Sequence, residues 1–134
     1  METGALHPDL APAERRRLFR RGIELFNRGE LLACHETWEE IWRSTTPEPR
    51  DLFQGLIQVA VGFYHFRDRR RPDVARRVLG KGRRRLERVL DRPHGLDLER
   101  LLAEVDGWDD WLAEPSGEPP SLPRLVVRDP RAVR

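Results

Sequence analysis

The segment from Leu52 to Tyr64 is apolar on nearly every side of a helix, and no other feature of the 134-residue chain constrains the fold as strongly. A helix that is apolar all round is surrounded by other helices. The segment is shorter than the stretch of about 18 to 20 apolar residues that spans a bilayer, and no amphipathic strand pattern occurs elsewhere. We therefore expect an all-α fold, a compact bundle of about five helices in which the third, from about Asp51 to Asp68, is central.

Apolar residues at helical spacing predict the other four helices. We expect the first from Glu14 to Arg28 and the second from about Glu30 to Ser44, with Gly29 between them. The fourth begins near Pro72 and reaches Leu90, and Asp97 is the expected N-cap of the fifth. The glycines within the fourth helix allow either a close helix crossing or a kink. The residues that end or interrupt these helices are Thr45, Thr46, Pro47, Pro49, Gly80, Gly82, Pro93, His94 and Gly95.

The length of the chain predicts its domain organisation, and its single cysteine indicates the compartment in which it functions. We expect residues 1–113 to form one helical domain, with a Pro-rich tail, residues 114–134, packed on the bundle or trailing from it. Cys34 has no partner for an internal disulfide, which favours a reducing compartment. The stretch from Met1 to Ala13 lacks the apolar core of a signal peptide. These features predict a soluble, cytoplasmic protein.

Charge is distributed in two opposite blocks. The segment Arg67–Arg92 contains 12 basic and four acidic residues, and the segment His94–Ser121 contains one basic and eight acidic residues. Adjacent blocks of opposite sign can satisfy each other, and the basic block lacks interleaved aromatic residues. We therefore expect a solvated basic face, partly paired to the fifth helix, and we do not expect a nucleic-acid partner.

Polar residues form stripes on the second and third helices. On the second helix His35 shares a face with Leu31, Trp38 and Trp42, and Glu39 lies one turn from His35. On the third helix a stripe interrupts the apolar surface at Gln54, Gln58, Val61 and His65. Because buried polar groups need partners, the two stripes predict a mutual network of His35 and Glu39 with Gln54, Gln58 and His65, packed beside Trp38 and Trp42.

Three interpretations of these stripes remain open. A structural network would fix how the helices dock, and His35→Ala would then cost about 2–4 kcal/mol. A metal site would use His35, Glu39 and His65, although the His-Glu-x-x-His pattern of zinc proteases fails at its second histidine. A catalytic pocket would use His35 as the base, oriented by Glu39 or Glu36.

The same residues resemble a known family. The stretches "FNRGELLACHETWEEIW" and "LFQGLIQVAVGFYHFRDRRRPDVARRVL" are similar to the small prokaryotic proteins catalogued as domain of unknown function 309. The family pattern of Asn-x-Gly, His-Glu-x-x-Glu, Trp, Gln-Gly-x-x-Gln and His is matched, from about Phe19 to Leu90, by Asn27, Gly29, His35, Glu36, Glu39, Trp42, Gln54, Gly55, Gln58 and His65. "RDRRRP" departs from the Gly-Asn turn that the family often has after its His. The resemblance implies a compact all-α bundle and no established activity.

Two functions follow as alternatives. The first is a non-enzymatic scaffold or interaction module with a buried His/Glu/Gln network, for which we expect no cofactor. The second is a metal-dependent or acid–base enzyme, such as a hydrolase, that uses the His35, Glu39 and His65 cluster, with a divalent metal as the cofactor. We expect a homodimer, because the tryptophan-rich fifth helix and the apolar tail offer more apolar surface than a monomer of this size covers.

Overall fold

A computed structural model describes residues 10–43 and 50–132 of the chain. The described residues form an all-α bundle, as the sequence predicts, and Pro130–Ala132 adds one turn of 3-10 helix. The predicted breaks at Thr45, Thr46, Pro47 and Pro49 and most of Met1–Ala13 lie outside the described residues. The five α-helices are α1 Pro12–Asn27, α2 Leu31–Trp42, α3 Arg50–Arg67, α4 Pro72–Glu87 and α5 Leu98–Ala113.

The central position of α3 is confirmed. Nine of its 18 residues are buried, more than in any other helix, and it packs against both α2 and α4. Helix α1 packs on α2 and helix α5 on α4, so the bundle is ordered α1–α2–α3–α4–α5 through its main contacts. Among the described residues, no helix is long and apolar enough to cross a membrane.

Glycines allow α3 and α4 to approach each other closely. A Cβ atom at Gly82 would lie 2.9 Å from the carbonyl oxygen of Gly55 and 3.1 Å from Cγ2 of Val59. A Cβ atom at Gly62 would lie 2.7 Å from the side chain of Leu79. Gly82 therefore serves a close crossing, the first of the two roles expected for it. Gly80 is partly exposed, and a Cβ atom there would meet only the Arg84 guanidinium, at 3.6 Å.

Helices α1 and α2 are joined through Trp38. Its indole is fully buried, its Nε1 donates to the carbonyl oxygen of Phe19 at 3.2 Å, and a Cβ atom at Gly22 would overlap the ring. Gly29 has a φ of 79°, as expected for the left-handed residue between two helices. After α3, Arg70 adopts a positive φ of 54° in the turn that leads to α4.

The fifth helix and the tail are tied to the bundle by hydrogen bonds. Asp97 is the N-cap of α5, as predicted, and accepts from the backbone N–H of Arg100 at 3.0 Å. The Asn27 amide donates to the carbonyl oxygen of Leu125 at 3.0 Å and accepts from its N–H at 2.7 Å. Leu125 is buried, and the indole of Trp108 donates to Ser121 O at 2.9 Å. The described part of the tail thus packs on the helices, while the division into residues 1–113 and 114–134 stays a prediction.

The apolar surface that predicts a homodimer is largely covered within the chain, by α3 and by the tail. Trp108 is 2% exposed and packs against Phe66 and Phe63. The Trp111 indole donates to Ser116 O at 3.1 Å. The homodimer therefore stays a prediction. The apolar surface that suggested it is buried by other parts of the same chain.

Candidate functional site

The buried face of α2 is rotated from the predicted one. It runs through Leu31, Cys34, Trp38 and Ile41, all of which are buried. His35 and Trp42 lie at the border of this face and are partly exposed, so the prediction that His35 points inward is wrong. Leucine, cysteine and isoleucine are less costly to bury than an imidazole, and they determine which side of the helix faces the core.

His35 and Glu39 are brought together on α2, close to solvent. Nε2 of His35 lies 3.7 Å from Oε1 of Glu39, and the two side chains are 31% and 23% exposed. Arg43 lies at 3.9 Å from the second Glu39 oxygen. Glu36, the other candidate for orienting His35, is exposed on a shallow surface of α2 that also includes Glu40. The carboxylates near His35 are therefore hydrated.

The predicted stripe on α3 lies along an edge of the helix between α2 and α4. Gln54, Gln58, Val61 and His65 are all partly exposed. Gln58 is directed toward α4: its Cβ lies 3.2 Å from the Cβ position of Gly82. Its Oε1 and the Nδ1 of His65 are buried atoms without a hydrogen-bond partner. Among the described residues, no hydrogen bond joins this stripe to His35 or Glu39, so the mutual network is not formed.

A small cleft opens between α2 and α3 beside these residues. It has a volume of about 170 Å³ and is bordered by aliphatic and aromatic side chains together with two imidazoles. Leu32 at its rim is 46% exposed, and it is the exposed large hydrophobic residue of the described chain. The lining residues are Leu31, Leu32, His35, Val61, Tyr64 and His65. The structure thus brings His35 and His65 to one site, in a mainly apolar setting.

The two histidines of the cleft have different electrostatic surroundings. Burial lowers the pKa of His65 from its ordinary value, and the positive charges of Arg71, Arg69 and Arg77 lower it further. His65 is therefore neutral at pH 7, with one ring nitrogen able to donate and one able to accept. His35 instead faces the carboxylate of Glu39.

The described residues contain no group of three or more His, Cys, Asp or Glu side chains arranged to hold a metal ion. The proposed ligands His35, Glu39 and His65 therefore reduce to one close pair, His35 with Glu39, and His65 across the cleft. An open zinc site needs three protein ligands. The metal site stays a prediction that this donor arrangement does not favour.

The remaining candidates have structural positions. Trp38 is in the core, and Trp42 lies under the guanidinium of Arg50, 4.9 Å from its ring centroid. Burial raises the pKa of the Cys34 thiol, which makes it a packed core side chain rather than a nucleophile.

Sequence reasoning missed Leu31, Leu32 and Tyr64 as lining residues of the cleft. One signal was available for Leu32. It follows Leu31 directly, and two adjacent helical positions point about 100° apart, so one of the two leucines must leave the buried face.

Comparison with protein families gives one match. The family model described as domain of unknown function (DUF309) matches residues 19–78, which confirms the resemblance predicted from the sequence. Neither the curated proteins nor the solved structures gave a significant match. All six residues that line the cleft fall within the matched segment.

Proposed function

From the premise that residues 19–78 belong to the DUF309 family, whose description assigns no activity, we propose that the domain is a non-enzymatic interaction module. The cleft between α2 and α3 holds one tyrosine side chain of a partner protein. The observation that carries this proposal is a mainly apolar cleft with an exposed leucine at its rim, lined in part by His65, whose Nδ1 is buried and unpartnered.

The volume of the cleft favours a single side chain. Pockets for cofactors and drug-sized ligands have volumes of about 300–1,000 Å³, whereas an engineered cavity of about 150 Å³ binds benzene. The cleft, at about 170 Å³, is of the second kind. An aromatic ring would pack against Leu31 and Val61 and would cover the exposed part of Leu32.

The chemistry of His65 favours tyrosine over phenylalanine. A buried polar atom without a partner costs about 1–3 kcal/mol, so an occupant that supplies a hydrogen bond gains over one that does not. A phenolic hydroxyl both donates and accepts, and it can therefore pair with Nδ1 in either tautomer of the neutral ring. Tyrosine combines this group with an apolar body, which is why it is frequent at protein interfaces.

The experiment titrates the protein with N-acetyl-tyrosinamide and with N-acetyl-phenylalaninamide and follows the chemical shifts of cleft residues. We expect the tyrosine compound to bind with a dissociation constant of about 1 mM, and about fivefold more tightly than the phenylalanine compound. His65→Phe should remove this preference. Val61→Phe should fill the cleft and abolish binding of both compounds.

The matched control is Val78→Phe, which enlarges a partly buried valine on α4 that does not line the cleft. It should leave both titrations unchanged. Equal affinities for the two compounds in the unmodified protein, or binding that survives Val61→Phe, would contradict the proposal.

One observation supports the enzyme as a second candidate. His35 beside the carboxylate of Glu39 and His65 beside three arginines are two imidazoles in opposite electrostatic surroundings at one cleft, an arrangement that suits acid–base catalysis. Hydrolysis of 4-nitrophenyl acetate tests this alternative. A rate more than about tenfold above that of His35→Ala would favour the enzyme, because a positioned imidazole contributes at least that much. Equal rates favour the interaction module.

A further inference from the structure

The basic residues of α4 lie on two faces, and only one of these faces is neutralised. Toward α5, Arg76 pairs with Asp109 at 2.9 Å and Arg83 pairs with Asp106 at 2.6 Å. These pairs confirm that the basic block is partly paired to the fifth helix. Lys81 and Arg84 are exposed and border the cleft toward α3, and within the described chain neither of them forms an ion pair with a carboxylate.

The second face borders a cleft between α3 and α4. The cleft has a volume of about 320 Å³ and is lined by Gln58, Lys81, Arg84, Arg85 and Arg88. Asp51 pairs with two of these cations, at 3.1 Å from Arg85 and 3.8 Å from Arg88. Arg84 also borders the clefts toward α5 that contain Asp73, Asp106 and Asp109, but it forms no ion pair with them. The lining of the cleft contains four cations and no carboxylate, and a lining of one sign attracts anions.

A neutral acceptor lies among these cations. Oε1 of Gln58 is buried and has no hydrogen-bond partner. The close crossing at Gly82 holds the start of this side chain against the α4 backbone, with its Cβ at 3.2 Å from the Cβ position of that glycine. A ligand in the cleft thus meets cationic donors beside a glutamine whose buried carbonyl oxygen lacks a hydroxyl or N–H donor.

We propose that this cleft binds a phosphorylated small molecule that carries hydroxyl groups, of the class of sugar phosphates. The phosphate oxygens accept hydrogen bonds from Lys81 and Arg84, whose charges are not matched by carboxylates. A hydroxyl group of the same ligand donates to Oε1 of Gln58 once the amide of this side chain turns toward the cleft. Arg85 and Arg88 are partly neutralised by Asp51. They add to the positive potential of the cleft but do not contact the phosphate directly.

The shape of the cleft favours a small ligand over a nucleic acid. Its volume lies at the lower end of the range of about 300–1,000 Å³ for small-molecule sites. Proteins that bind single strands stack bases on aromatic side chains, and no aromatic residue lines this cleft. The binding site is also separate from the α2–α3 cleft, because the two share no lining residue.

The experiment measures binding of ribose 5-phosphate, inorganic phosphate and ribose by calorimetry at an ionic strength of about 0.15 M, where non-specific attraction is screened. We expect saturable binding of ribose 5-phosphate, about tenfold weaker binding of inorganic phosphate, and no binding of ribose. The double variant Lys81→Gln with Arg84→Gln should weaken the binding of ribose 5-phosphate at least about tenfold. Both side chains are exposed, so the fold should survive the substitutions.

Two further variants separate the contacts. Gln58→Leu should retain phosphate binding and lose the preference for ribose 5-phosphate over inorganic phosphate. Arg100→Gln, which removes one exposed charge on α5 outside the cleft, should change neither affinity. Three results would each overturn the proposal: no saturable binding, equal weakening by Arg100→Gln, or tighter binding of a single-stranded RNA of about ten nucleotides that displaces ribose 5-phosphate.

Discussion

The two sides of α3 differ in how closely a neighbouring helix approaches. On the α4 side, Gly55, Gly62 and Gly82 bring backbone against backbone, and a single added methyl group would meet atoms at 2.7–2.9 Å. On the α2 side, partly exposed side chains such as Tyr64 and His35 meet at a cleft, and Leu32 remains at its rim. Close packing leaves no room for a ligand along the contact itself. Both candidate sites therefore lie at the margins of α3, where packing ends and polar atoms remain unpaired.

The largest expected effect tests the close side. Gly82→Ala places a methyl group against the carbonyl oxygen of Gly55 and the side chain of Val59. Backbone cannot yield as a flexible side chain does, so overpacking should exceed the gain in helix propensity. We expect a loss of about 1–3 kcal/mol in the free energy of unfolding, measured by urea denaturation.

Gly80→Ala is the matched control on the same helix. An added Cβ there lies at an ordinary contact distance of 3.6 Å from the Arg84 guanidinium. Replacing a helical glycine by alanine should then stabilise the protein by about 0.5–1 kcal/mol. If both substitutions stabilised the protein, or both destabilised it, the result would contradict the view that α4 meets α3 only through the face that contains Gly82.

The next effect concerns the pH dependence of stability at the α2–α3 cleft. The folded state lowers the pKa of His65, so the unfolded chain binds more protons in the window from that lowered pKa up to the ordinary value of about 6.5. Stability should therefore be complete above about pH 7 and should fall as the pH decreases through this window. Urea denaturation across this range measures the slope.

His65→Phe should reduce that slope. The pKa of His94 is lowered as well, by burial and by Arg92, so part of the slope should remain. His94→Gln should remove that remaining part. An unchanged slope in His65→Phe would show that the cleft does not disfavour the charged imidazole.

The smallest expected effect tests the open side. Because His35 is 31% exposed and makes no contact in a buried network, His35→Ala should change the free energy of unfolding by no more than about 0.5 kcal/mol. This replaces the loss of about 2–4 kcal/mol that a structural network predicts. A loss of the larger size would restore the network interpretation and would remove the contrast between the two sides of α3.

The sequence predicts the helices well and their faces less well. The apolar surface of α3 and the N-cap Asp97 are local signals, and the structure confirms both. Helical spacing alone does not distinguish two candidate faces of α2. The predicted face contains Leu31, His35, Trp38 and Trp42, whereas the buried face contains Cys34 and Ile41 together with Leu31 and Trp38. Leu31 and Trp38 belong to both sets, so a rotation of the helix by about 50°, half of the step between adjacent residues, exchanges one face for the other.

The partners of the α3 stripe could not be predicted for a different reason. Gln58 and His65 lie on one stripe, yet one side chain is directed toward α4 and the other lines the cleft with α2. Which neighbour a border residue meets depends on where each helix crosses, and this is a tertiary property. Gly55 and Gly62, seven residues apart on an apolar helix, were the available signal for the α4 crossing.

The pair of hydrogen bonds between Asn27 and Leu125 has a consequence for the order of folding. It joins residues 98 positions apart, so its formation requires the closure of a very long loop. Contacts between neighbouring helices form sooner than contacts of such sequence separation, which makes tail docking a late event. The amide hydrogen of Leu125 exchanges with solvent only when the tail lifts from the bundle. Its exchange rate, set beside those of amides within α3, therefore measures whether the tail detaches alone or only when the whole chain unfolds.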